Sequence, residues 1–402
     1  MDEKLRKIVK NVIYFGSIIF AIGLGCSISI METGLYLLIF PFWTILYFLE
    51  LRRAKKEEKK SPFLPYIVIL AVFAISIIIS SFFAYAKSAI WKNFYPVKFI
   101  ARFLPLFIFP TILSMDNFVK LLSVSVIVGT ANAVYGILRY IATGVRGGGF
   151  IKFYMTFAGV SMLLGLSSLF LSLIHLRKNK KLALFYIICF VILTLGIMFS
   201  LTRNALLGIC AGIAILAFTL PRIGIPIMLI ISSIALTTYV AVPQVATRVN
   251  SIISLHEESI NERLILWKGW VENFGDFYLT GRGLGSANTE KFCEKFSVNA
   301  KERCHFHNNF LQIWFSLGIL GIVAFMLLFI LSYYYATKIL KESKQYENKI
   351  SGGYIISVLT AFLVAGVFEY NFGDSEVVTL FFFLLSSLLI TKARSEVRNI
   401  EK

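Results

Sequence analysis

Charge is scarce in this 402-residue chain: Asp, Glu, Lys and Arg together make up 15% of it. Soluble chains carry about 25%, so a free globular fold is excluded. Cysteine is scarce too, and its five copies show no metal-site spacing. Cys26, Cys189 and Cys210 lie in or beside apolar runs and read as small buried side chains. The four histidines offer no metal cluster: His175 sits beside "RKNKK" and His256 stands alone in "SLHEES". No carboxylate–histidine grouping is visible, so neither a metal nor a cofactor is expected. No internal repeat is present, which removes support for an inverted-repeat transporter. No small-residue cleavage site follows a short apolar core after "MDEKLRKIVK", so the first apolar run reads as a retained helix.

Apolar residues fill the space that charge leaves. They make up 57% of the chain, at a mean hydropathy of +0.77. Runs near twenty residues recur from end to end, each about long enough to cross ~30 Å of hydrocarbon as a helix. The expected fold is an all-α polytopic membrane protein with about twelve transmembrane helices. Two of these are expected over 204–220 and 223–242. The net charge of +18 does not point to nucleic acid. Most Lys and Arg fall in short loops at alternate ends of the spans, as in "RRAKKEEKK" and "RKNKK", and the positive-inside rule then places both termini in the cytoplasm.

The organisation expected is one integrated membrane domain: residues 1–242 as helices 1–9, a large outer loop over 243–307, and residues 308–402 as helices 10–12 with a cytoplasmic tail. Within the loop, "SINERLILWKGWVENF" (259–274) reads as a helix. Ser259 and Glu262 have capping-box spacing, and Ile260, Leu264, Trp267, Val271 and Phe274 form one apolar stripe. That helix is expected on the membrane surface or capping the bundle. Cys293 and Cys304 share the loop, eleven residues apart, and a disulfide between them suits an oxidising outer compartment.

Polar residues that could carry chemistry gather on the outer side. Arg203, in "SLTRNALLG", lies at a helix start, where free N–H groups favour anions. Its guanidinium would add a forked donor for phosphate oxygens, although a snorkelling span-end arginine would look the same. Arg263 lies one turn before Trp267, on which it could instead stack. "GRGLG" (281–285) looks like a phosphate-cradling loop but lacks the strand–turn–helix setting, and a tight turn explains its glycines as well. His307 opens the tenth span and could act as a general base; a hydrogen-bonded helix-start histidine is the plain alternative. Asn308 could support it, whereas His305 is one residue off and could point elsewhere. Two arginines and a histidine at the mouth of a lipid-embedded bundle suit a lipid-linked substrate with a pyrophosphate leaving group.

The stretch His307, Asn308, nine residues, Gly318, Ile319, Leu320, Gly321 resembles the histidine motif of the O-antigen ligases, within the wider ligase and polymerase group. "SLTRNALLG" looks like that family's arginine turn. "RLILW", followed about fifteen residues later by "GRGLG", is similar to its periplasmic-loop pattern. The resemblance implies a GT-C-like glycosyltransferase in the bacterial inner membrane with its active site facing the periplasm. It would move a glycan from undecaprenyl pyrophosphate to lipid A–core, with inversion and without a metal. Carried over, His307 is the base and Arg203 and Arg263 hold the pyrophosphate. In "FYLTGRG" a proline common in relatives is missing, which leaves Arg282 either a third phosphate contact or a turn residue. An O-antigen polymerase, with a second lipid-linked glycan as acceptor, shares this pattern. A protein O-glycosyltransferase is a third option. A lipid-linked glycan transporter would need ionisable residues inside spans, of which Arg139 is the clearest.

Overall fold

The computed structural model describes residues 2–51, 63–92, 94–151, 153–241, 243, 246–247, 258–296 and 304–400. His256 lies outside them. Among the described residues every regular element is helical. In chain order these are α1 (Asp2–Cys26), α2 (Ile28–Glu32) running through a π-helical turn into α3 (Phe40–Leu51), α4 (Leu64–Phe82), α5 (Lys87–Lys92), α6 (Tyr95–Ala101), α7 (Leu104–Ile112), α8 (Met115–Thr143), α9 (Tyr154–His175), α10 (Lys180–Phe199), α11 (Arg203–Thr219) and α12 (Pro221–Ala241). There follow α13 (Glu258–Glu272), α14 (Phe274–Phe277), α15 (Ser286–Cys293), α16 (Asn309–Glu342), α17 (Tyr346–Val367) and α18 (Ser375–Ile400).

Ten of the helical segments are long and apolar enough to cross a membrane. The chain is therefore an all-helical polytopic membrane protein, with ten such helices among the described residues. The two expected spans outside the ten are helical as well. The 204–220 span is α11, whose 17 residues rise only about 25 Å, short of the hydrocarbon thickness. The 223–242 span is α12, several of whose side chains lie outside the described set.

The core centres on α9, which is buried along nearly its whole length between α8, α10, α11, α17 and α18. Its small residues allow that close approach, as in lipid-embedded bundles generally. Ser167 and Ser168 direct their hydroxyls back to the helix: Ser167 donates to Leu163 O at 2.8 Å and also meets the Tyr354 hydroxyl at 2.8 Å, and Ser168 donates to Gly165 O at 2.7 Å.

Adjacent connections alternate between two ends. At one end Arg177 lies over the Tyr346 ring at 3.6 Å and Lys178 pairs with Glu347. At the other end the turns around Phe83, Gly147, Ser200, His307 and Glu369 converge. An antiparallel register links α11 to α17: a Cβ at Gly208 would lie 2.8 Å from Ala361 O, and one at Gly353 would lie 3.2 Å from Leu220. Extending that register puts the first turn of α11, with Arg203, level with the exit of α17 near Glu369.

The turn after α17 is anchored by Phe372. Its ring sits among Phe73, Phe99, Phe325 and Phe382, with centroids 5.2 to 6.4 Å away. Its backbone N–H donates to Asn309 Oδ1 at 3.0 Å, and its carbonyl accepts from Arg102 Nη1 at 3.1 Å. Burying a Phe side chain stabilises by about 1.5–3 kcal/mol, so Glu369, three residues earlier, sits on a pinned turn.

Candidate active site at the mouth of the bundle

The segment after Cys304 bends at His307, and its neighbouring side chains separate. Phe306 is fully buried in an aromatic cluster with Phe292 and Phe315. His305 and His307 fall together on the other side, with ring centroids 3.9 Å apart. The expectation that His305 could point elsewhere is therefore corrected. The bend at His307, with Phe306 buried between the two histidines, brings it onto the face of His307. The two rings share Glu369. His307 Nδ1 lies 3.2 Å from Oε2, and His305 Nε2 lies 3.6 Å from Oε1. The His307 backbone N–H also donates to His305 Nδ1 at 3.2 Å. His307 itself has φ 48°, a left-handed conformation that costs a non-glycine residue about 1–3 kcal/mol.

Glu369 is 5% exposed. Burial pushes its carboxyl up, but the His307 hydrogen bond, the two neighbouring rings and the Arg263 charge outweigh that and hold it down at about 2. Burial pushes His305 down to about 4, with the His307 and Arg263 charges adding to that and Glu369 opposing it. Arg263 thus acts electrostatically on both members of the cluster. Five residues on, Asp374 is pushed up to about 7 by burial and by the Glu369 and Glu376 charges. The Thr156 hydroxyl donates to its Oδ2 at 3.2 Å.

The expectation of no carboxylate–histidine cluster is corrected as well. His305, His307 and Glu369 each bring one donor atom within 4.8 Å of the others, a set that could hold a divalent cation if the His307–Glu369 contact opened. The reason it escaped notice is distance along the chain: Glu369 lies 62 residues after His307. A signal was present in "FEYNFGDSE", since a carboxylate at the end of an apolar run is costly and usually has a task.

The loop helix forms where expected, over Glu258–Glu272. It begins one residue before Ser259, whose side chain is outside the described set. Trp267 Nε1 donates to Phe306 O at 2.8 Å, and Trp270 Nε1 donates to Leu311 O at 3.2 Å. Two indoles thus clamp α13 to the histidine segment and the start of α16, which fixes Arg263 one turn away. Cys293 and Cys304 are disulfide-bonded, tying α15 to the residue before His305. Asn308 is the N-cap of α16: its Oδ1 accepts from Phe310 N and Leu311 N at 2.8 and 3.1 Å, and its Nδ2 donates to Val367 O at 3.0 Å. Its role is to start the helix and tie it to α17.

The motif glycines have a local cause. Gly318 takes φ 67°, ψ −163° inside α16, a region open essentially to glycine alone. The break frees carbonyls that the glycine turn satisfies. Arg282 N donates to Phe315 O at 2.7 Å, Gly283 N donates to Ser316 O at 2.9 Å, and Ile319 N donates to Leu279 O at 3.3 Å. The Arg282 and Gly283 amides are thereby committed to α16, and the Gly281 amide donates to Phe277 O at 2.9 Å, so these three cannot cradle a phosphate. The Arg282 guanidinium donates to Phe83 O at 3.3 Å and lies 5.0 Å from the Tyr85 ring centroid. It staples the turn to the end of α4, and these contacts do not bring it to the histidines.

Arg203 follows a tight reversal in which Leu201 has φ 55° and Ser200 Oγ donates to Thr202 Oγ1 at 2.9 Å. It therefore opens α11 at the same end as Glu369. The molecule is thus defined as a multi-pass helical membrane protein with a His–Glu–His cluster, overlooked by arginines, at one mouth of the bundle. Residues 188–326 match the family model described as O-Antigen ligase. That stretch includes Arg203, Arg263, Trp267, Arg282 and both clustered histidines, and it ends before Glu369. No curated protein matches the chain in sequence.

Proposed function

We propose that this protein is an O-antigen ligase working at the periplasmic face of the inner membrane. It transfers a glycan from undecaprenyl pyrophosphate to a hydroxyl of lipid A–core. The supporting observation is His307, whose side chain is 28% exposed while its Nδ1 is backed by a buried carboxylate. One ring nitrogen is engaged and the other is left for a substrate.

The acceptor hydroxyl attacks the anomeric carbon as His307 takes its proton. The bond from that carbon to the pyrophosphate oxygen breaks, the electron pair leaves with the undecaprenyl pyrophosphate, and the anomeric configuration inverts. Arg203 and Arg263 offset the charge on the leaving group, which therefore needs no proton. Positioned base catalysis contributes about 10²–10⁴-fold. Holding the developing anion in a water-poor site adds to this.

The test is to incubate the purified protein with undecaprenyl-pyrophosphate glycan and lipid A–core. A joined product that forms in EDTA supports the proposal. Elongated lipid-linked glycan with no transfer to lipid A–core would make the protein a polymerase instead. A wild-type rate for His307→Ala would remove the base.

A further inference from the structure

His305, His307 and Glu369 are arranged by donor and acceptor in a way that leaves few choices. Glu369 is buried, and its Oε1 already accepts the Tyr370 backbone N–H at 3.1 Å. A carboxylate can only accept, so the Nδ1 that faces Oε2 at 3.2 Å must carry the proton. The neighbouring ring is set the opposite way. His305 Nδ1 accepts the His307 backbone N–H at 3.2 Å, so its proton sits on Nε2, the nitrogen turned to Glu369 Oε1 at 3.6 Å. That backbone N–H is aimed by the left-handed φ of His307.

We propose that Glu369 and His305 are positioning residues that lock His307 in its Nδ1–H tautomer and leave Nε2 as the lone-pair nitrogen that receives the acceptor proton. This rests on reading His307 as the base and goes beyond it by naming which nitrogen acts and what fixes it. The carboxylate holds the proton on Nδ1 and stabilises the ring when Nε2 gains a second proton during attack. A base held in the other tautomer would present an N–H to the hydroxyl and could not accept. The Tyr370 N–H holds Oε1 and so keeps Oε2 turned to His307, and His305 completes the device by accepting the His307 backbone N–H while its Nε2 faces Oε1 at 3.6 Å.

The chain has four histidines, so ring-¹⁵N-histidine labelling of the full-length protein in nanodiscs gives four ring pairs to assign. The expected result is a protonated Nδ1 and bare Nε2 for His307, with the reverse for His305. Glu369→Gln is expected to erase the His307 pattern and to lower kcat by about 10²-fold or more, with KM for the lipid-linked donor within about twofold. Glu369→Asp should recover part of kcat, because an anion one methylene further away still selects the tautomer.

A wild-type His307 with its proton on Nε2 overturns the inference without any variant. So does near-normal kcat in folded Glu369→Gln. Transfer that EDTA abolishes and zinc restores would also overturn it, by making the cluster a metal site. Failure of the underlying reading looks different: His307→Ala would then remain active. An inactive His307→Ala beside an active Glu369→Gln sinks only the positioning role.

Discussion

Trp267 Nε1 donates to Phe306 O at 2.8 Å, and through this bond the loop helix carrying Arg263 is registered against the segment carrying His305 and His307. Trp267→Phe keeps the ring contacts and removes the donor. It is expected to lower stability by about 0.5–1.5 kcal/mol, read as a drop in Tm. It should also lower transfer more than donor binding, because Arg263 and His307 lose their common frame. Unchanged transfer would mean that the registration is maintained by the disulfide and Trp270 alone.

The three arginines should separate. Arg203→Ala and Arg263→Ala are expected to abolish transfer in folded protein. Lysine should restore it only in part, since a point charge lacks the bidentate fork. Arg282→Ala should instead lower Tm, because its guanidinium holds Phe83 O and the Tyr85 ring, with donor affinity nearly unchanged. Transfer rates and donor-binding titrations on all three variants decide this.

Gly318→Ala places a side chain in a φ 67° conformation and toward the Leu279 carbonyl, with Gly281 N only 2.7 Å from its Cβ. A loss of about 2 kcal/mol or more is expected, together with misplacement of the turn that docks on Phe315 and Ser316. Gly275→Ala, where no atom lies within 4 Å of an added Cβ, is the matching neutral control. Equal melting of the two variants would show that the break in α16 is not needed.

Alkylation of the unreduced, denatured protein should modify three cysteines, Cys26, Cys189 and Cys210. Reduction exposes the other two. It should also lower stability by about 3 kcal/mol, the loop-closure value for a bridge of this span, and depress transfer because Cys304 precedes His305. Five reactive thiols without reductant would refute the bond.

Asp374 gives stability a pH dependence with a definite sign. Its folded pKa is raised from 3.8 to about 7, so the folded state binds a proton that the unfolded state has already released. The relative stability is complete below pH 3.8 and is lost as pH rises through about 7. Asp374→Asn, which keeps an acceptor for Thr156 and never ionises, should match the wild type near pH 4. It should melt higher by a margin that widens up to about pH 7 and then stays constant. A margin independent of pH would assign the effect to packing instead.

Much of this molecule follows from local rules. The helical spans were legible because hydrocarbon solvates no backbone polar group, so each apolar run of sufficient length must be a helix. The loop helix was legible for a similar reason, since it depends on consecutive residues, whereas the capping role of Asn308 and the helix break at Gly318 emerged only from the structure. The run over 204–220 forms α11, which packs antiparallel along α17.

The site was only half legible. The sequence put His307 and Arg203 at the ends of apolar runs and Arg263 in the loop helix, because run length and loop composition place them there. It could not determine their company. Whether His305 shares the face of His307 depends on the left-handed bend at His307 and on Phe306 being drawn into the aromatic core. Glu369 reaches both rings because α16 and α17 bring chain positions 62 residues apart together and Phe372 pins the turn beside them. The commitment of the Arg282 and Gly283 amides to α16 likewise exists only after the loop has docked. These are contacts between segments remote in the chain, set by packing and by the need to satisfy buried polar groups. Only the tertiary structure decides them.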